Sequence, residues 1–113
     1  MKQSRRRREP SVRMTAPRLL EALVKEPGKP ARLTLVADTL EALQSIVDGP
    51  IEVTRLTEEN VIVCNGEGML RGLPRNALGI CGTFLVLGRG DGESFGPVFG
   101  PRTVRALLGG EES

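Results

Sequence analysis

The stretch Asn60–Gly90, NVIVCNGEGMLRGLPRNALGICGTFLVLGRG, sets two apolar runs on either side of a glycine-punctuated polar connector. Val61, Ile62, Val63 and Cys64 are consecutive and apolar, as are Phe84, Leu85, Val86 and Leu87. An unbroken apolar run without polar alternation is the pattern of a strand covered on both faces. Both runs are therefore expected to be core strands, and if they share one sheet the seventeen residues 66–82 between them exceed what a hairpin needs. Connections of that length are generally functional or disordered. Met69, Leu70, Leu73, Leu78 and Ile80 argue for order, as anchors of the connector on the core. The polar residues Asn65, Glu67, Arg71, Arg75 and Asn76 are then the candidate binding groups, with Arg71 or Arg75 and Asn76 expected at one surface depression. Asparagine amides donate and accept, and guanidinium groups suit a carboxylate or phosphate. The competing reading makes both asparagines turn residues and leaves both arginines solvated.

Outside this stretch, composition excludes more than it assigns. The chain has 113 residues, enough for one domain with a modest core, and 39% of them are hydrophobic. It contains no histidine, which removes Ser-His-Asp and Cys-His mechanisms and every histidine-based metal site. Three Phe with no Trp or Tyr make an aliphatic core and leave few stacking platforms for single-stranded nucleic acid. Cys64 and Cys81 sit in or beside apolar runs and read as small core residues in preference to a disulfide or redox pair. No apolar segment of export-signal or membrane-spanning length follows the basic N-terminus, so a reduced, cytoplasmic protein is expected. Cys64, Thr83 and Ser94 are the candidate nucleophiles, yet without histidine the base would have to be Lys25, Glu67 or another carboxylate, and no such pairing is recognisable. A non-enzymatic chain without cofactor or metal is the expectation.

Charge is unevenly divided. Residues 1–18 carry seven basic side chains against Glu9 alone, a balance of +6, whereas the remaining chain carries nine basic and thirteen acidic ones, a balance of −4. Residues 1–17 lack apolar periodicity and are interrupted by Pro10 and Pro17, so they read as a disordered basic tail, with residues 18–109 as the domain and 110–113 as a C-terminal tail. Arg5, Arg6, Arg7 and Arg8 are the nucleic-acid candidates, against the alternatives of a solvated arm or a natural start at Met14.

Within the domain, the pattern predicts an α+β fold: a mainly antiparallel sheet of about five strands with two helices, in the order ββαββ(β)βα. Leu19–Lys25 alternates as a strand, Glu26-Pro27-Gly28-Lys29 fits a type II turn, and the second strand places Leu33, Leu35 and Ala37 on one face. Asp38 is the expected cap of a helix to Asp48, with Glu41 completing a capping box and Leu40, Leu43, Ile46 and Val47 forming its apolar stripe. Ile51–Leu56 makes a second hairpin with the first core strand through the Glu58-Glu59 turn, whose carboxylates read as solvated. Met69–Arg71 is expected to add a short edge strand. Gly66-Glu67-Gly68 lacks phosphate-loop spacing, and Gly88–Glu93 is too short for a calcium loop. Phe95 and Phe99 are expected to cover the core. Pro101 should open a second helix buried through Val104, Leu107 and Leu108.

In this order the chain resembles the domain-of-unknown-function 3846 family, short proteins of phages, plasmids and bacteria. The residues that carry the likeness are Val24-Lys25-Glu26-Pro27-Gly28, Thr39-Leu40-Glu41-Ala42-Leu43-Gln44, Ile51-Glu52-Val53, Val63-Cys64-Asn65 with Glu67-Gly68, Gly72-Leu73-Pro74 with Asn76, and Gly82-Thr83-Phe84. Members of that family usually place Arg after the asparagine, where this chain has Ala77, with Arg75 before it. The resemblance implies a small cytoplasmic accessory protein of a mobile element or its host, and no known activity. Together these readings lead to the expectation of a module that binds a protein or small anionic ligand through residues 65–76, with nucleic-acid binding through the tail as the alternative. No feature fixes an oligomeric state.

Overall fold

The computed structural model of the protein describes residues 17–109. Strands β1 (Leu19–Lys25), β2 (Arg32–Ala37), β3 (Ile51–Arg55), β4 (Asn60–Asn65) and β5 (Phe84–Gly88) form one antiparallel sheet in the spatial order β2-β1-β5-β4-β3. Helix α1 (Leu40–Val47) joins the two hairpins, and α2 (Pro101–Leu107) follows β5. This is the expected α+β architecture, without the short extra strand. Residues 66–72 are turns instead: Arg71 N–H donates to Glu67 O at 2.9 Å and Leu73 N–H to Gly68 O at 3.0 Å, closing the chain on itself where a strand would leave those groups for a neighbour.

β5 is the last strand in the chain and the central one in the sheet, paired with β1 on one side and β4 on the other. Its position explains its composition. Phe84, Leu85, Val86 and Leu87 are all 0% exposed, because helices or loops cover both faces of the middle strand. On one face Leu85 and Leu87 pack with Leu20, Ala22, Val24, Val36 and Val63 beneath Leu43 and Val47 of α1. On the other, Phe84 and Val86 pack with Leu23 and Ile62 beneath Val98, Val104 and Leu108. Burying each such side chain is worth roughly 1.5–3 kcal/mol.

Local chemistry sets the element ends. The Glu26–Lys29 turn has Gly28 at φ 77° and the Lys29 N–H donating to Glu26 O, as a Pro-Gly type II turn requires. Thr39, not Asp38, caps α1, its hydroxyl accepting from Ala42 N–H at 3.1 Å. The Asp38 N–H is still bonded to Arg18 O at the end of the β1–β2 ladder, so the helix starts one residue later. Leu40 then falls on the exposed side of the first turn, while Leu43 and Val47 reach the sheet.

Burial on the other elements follows the same kind of reason. Leu33 and Leu35 are exposed, since α1 covers the opposite face of β2 and buries Val36. Leu107 is exposed, because Val104 and Leu108, one turn apart, take the buried side of α2. Phe95 packs on the core, but Phe99 points outward while its main chain is gripped by Asn60, which is 2% exposed. The amide of Asn60 accepts from Phe99 N–H and donates to Phe99 O, both at 2.8 Å.

Candidate functional site

The connector between β4 and β5 is held by two side chains that the sequence offered as binding groups. Asn65 ends β4 and is buried. Its amide nitrogen donates to the carbonyls of Val47 at 3.1 Å and Asp48 at 3.0 Å, satisfying carbonyls that the end of α1 leaves without helical partners. Its oxygen accepts from Glu67 N–H at 2.6 Å and so fixes the first turn of the connector. Gly49 makes room for this: a Cβ there would lie 2.6 Å from the Asn65 nitrogen.

Asn76 does the same at the other end, more completely. Its nitrogen donates to Lys25 O at 2.9 Å and Gly82 O at 2.8 Å, and its oxygen accepts from Ala77 N–H at 2.7 Å and Lys25 Nζ at 3.2 Å. A primary amide has two donors and about two acceptor sites, so Asn76 is saturated. Lys25, buried at 3% exposure, places its other Nζ contact on Glu26 O at 3.1 Å. Asn76 is itself 9% exposed and therefore does not stand at the surface depression with Arg71 or Arg75 that its residue type and loop position predict.

Arg71 is exposed but engaged. Its guanidinium donates to Asp48 O at 2.6 Å and pairs with the Asp48 carboxylate at 3.2 Å, a second tie between connector and α1. Glu67 and Arg75 are exposed, and among the described residues the Arg75 side chain makes no ion pair or hydrogen bond. The cleft between α1 and the connector, about 170 Å³ and lined by Val47, Asp48, Leu73 and Thr83 among others, includes none of the five candidate residues. Arg5, Arg6, Arg7 and Arg8 lie outside the described residues.

With asparagines inside, the apolar residues of the connector point the other way. Met69 is 79% exposed and Leu70 90%, on the turn that Asn65 and Arg71 secure; of the five expected anchors only Leu73 and Ile80 are partly buried. Gly68 lets this turn approach the second half of the connector, since a Cβ there would collide with Cys81 O. That second half is a small hairpin in which Arg75 bridges Cys81, Asn76 N–H donates to Ile80 O, and Ile80 N–H donates to Ala77 O. Its tip is Leu78-Gly79, both at positive φ, 61° and 76°, which is the signature of a type I′ turn. Asparagine, aspartate or glycine normally takes the first of those positions. Leu78 holds it with its side chain 52% exposed.

The remaining candidates are dispersed. Thr83 lines the cleft beside α1, whereas Ser94 accepts from Arg18 in a loop that lines a different depression of about 290 Å³. Burial, with a smaller contribution from Glu52, pushes the Cys64 thiol up, which disfavours the thiolate that a nucleophile needs. Cys64 and Cys81 are both free and partly buried. Glu58 and Glu59 are exposed, Glu58 lying 3.9 Å from Arg55 and 3.8 Å from Arg89. Sequence reasoning singled out neither Asn60 as a main-chain clamp nor Met69, Leu70 and Leu78 as surface groups. The one available signal was Leu78 directly before Gly79 in a short segment between Asn76 and Ile80.

A central-strand α+β sheet with an asparagine-clamped connector is the class of protein this geometry defines. Residues 20–99 match the model of the family described as domain of unknown function (DUF3846), and the chain belongs to that family. Neither curated proteins nor solved structures give a match. No helix among the described residues is long and apolar enough to cross a membrane.

Proposed function

We propose that this chain is a binding module without catalytic chemistry of its own, and that it engages a protein partner through the 65–76 connector and the hairpin that follows. The observation that carries the reading is the exposure of Met69 and Leu70 on a connector clamped by buried hydrogen bonds. Ordering a loop costs about 1–2 kcal/mol of backbone entropy per residue, and an ordered loop that hides its amides and displays methionine and leucine gains nothing from that display in the free protein. A protein surface that buries them would. Glu67 and Arg75, both exposed, fit the polar rim of such a contact. A small anion is the less favoured ligand, because Asn65 and Asn76 are already bonded and Arg71 is paired with Asp48.

The test is capture from a lysate of the organism that encodes the chain, comparing wild type with the double variant Met69→Ser, Leu70→Ser. The variant is expected to keep its stability within about 0.5 kcal/mol, since both sites are exposed, and to lose the captured protein. Identical capture by the two proteins would refute the connector as the contact surface.

A further inference from the structure

The two outer strands of the sheet differ in how they end it. On β3, Glu52, Thr54 and Arg55 are exposed beside Val53, so charged side chains line that edge as they do on most natural edges. β2, Arg32–Ala37, exposes Leu33 at 44% and Leu35 at 58%, and the exposed Leu19 lies across the ladder from Ala37 on the same face. Among the described residues, the unpaired main chain lies at the same residues. Asp38 N–H donates to Arg18 O, and the ladder sets Leu20 opposite Val36 and Ala22 opposite Thr34. Bonded pairs alternate along an antiparallel ladder, so Arg32, Thr34, Val36 and Asp38 turn their main-chain groups toward β1, and Leu33, Leu35 and Ala37 turn theirs outward. α1 leaves the end of β2 across one face of the sheet toward β3, so it does not cover this edge.

We infer that β2 pairs with β2 of a second copy of this chain, antiparallel about a two-fold axis, to make one continuous sheet. An edge invites a strand; what selects the same strand is its self-complementarity. Only registers that oppose outward-facing residues to one another satisfy the ladder. With Leu35 opposite Leu35 of the second copy, Leu33 meets Ala37, and Arg32, which pairs with Glu26 at 3.2 Å in its own chain, stands opposite Asp38, which lies 3.8 Å from its own Arg18, on the α1 face, twice by symmetry. The neighbouring register, Leu33 opposite Leu35, loses that charge match by setting Arg32 against Val36. In the favoured register three bonded pairs give about six inter-chain hydrogen bonds. Leu19, Leu33 and Leu35 of both copies then form one apolar band, with Glu21 beyond it at each margin.

Sedimentation equilibrium of the full chain from about 1 to about 300 μM tests this, with a dimer expected within that range. Leu35→Lys sets two ammonium groups together at the axis and is expected to raise the dissociation constant at least about tenfold, while the unfolding midpoint of the dilute protein stays put. Arg32→Asp should weaken the dimer and Arg32→Asp with Asp38→Arg should restore it. A wild type that stays monomeric throughout, leaving the edge to a strand of some other protein, overturns the inference. So does a dimer indifferent to Leu35→Lys, which would locate the contact elsewhere, the connector included.

Discussion

β4 and β5 and the connector that joins them follow opposite rules. In the strands the apolar side chains are inside, with all four residues Phe84–Leu87 at 0% exposure; in the connector the amides of Asn65 and Asn76 are inside and Met69, Leu70 and Leu78 face water. The main chain explains half of this inversion. A strand satisfies its N–H and C=O groups from its neighbours, so its side chains are free to be greasy. An irregular segment pressed against a sheet has no ladder, and its buried carbonyls need side-chain donors. Asparagine, with a donor pair and an acceptor on one short stem, supplies them, as Asn60 also does for Phe99. The outward apolar residues have no such account within the monomer, and that is why they carry the functional reading.

The largest effect expected from this contrast is that of Asn76→Ala. It would leave Lys25 O, Gly82 O and Ala77 N–H without their partner and take one of two acceptors from the buried Lys25 ammonium, a loss of roughly 2–4 kcal/mol in urea unfolding. A loss below about 0.5 kcal/mol would mean that the connector is held by other means and that the inversion is superficial. Asn65→Ala should cost less, roughly 1–3 kcal/mol, because only three bonds go and Arg71 still reaches Asp48 O. Its signature is local: the Glu67 amide should exchange with solvent faster, while amides of β5 keep their protection.

Sequence periodicity read the sheet well for a physical reason. Unbroken apolar runs and a Pro-Gly turn each encode a backbone state locally, and the strands they mark are the observed ones. The spatial order was not legible, since nothing in Phe84–Leu87 says that the last strand enters between the first hairpin and the second. Faces failed at the margins of the helical stripes: Leu40 and Leu107 fit the apolar periodicity of their helices and are exposed, because the neighbouring Leu43 and Val47, and Val104 and Leu108, take the side that meets the sheet. The connector failed for a related reason. Asparagine in a glycine-rich segment reads equally as a displayed amide or a buried clamp, and only the positions of Lys25 O, Gly82 O and the end of α1 decide.

The smallest effect, and the one with the opposite sign, belongs to Leu78. It occupies the first central position of a type I′ turn at φ 61°, where its Cβ costs about 1–2 kcal/mol relative to glycine, and asparagine tolerates the conformation better. Half of its side chain is in water, so packing offsets little of that strain. Leu78→Asn should therefore stabilise the protein by roughly 0.5–1 kcal/mol, read as a higher urea midpoint at unchanged slope. If the connector hairpin shares the partner contact of Met69 and Leu70, the same substitution should weaken capture of that partner. A gain in stability together with a loss of binding is the split expected of a residue kept for what it touches outside the chain. A destabilised Leu78→Asn variant would show instead that the leucine packs within the monomer, and it would remove Leu78 from the contact surface while leaving Met69 and Leu70 to carry it.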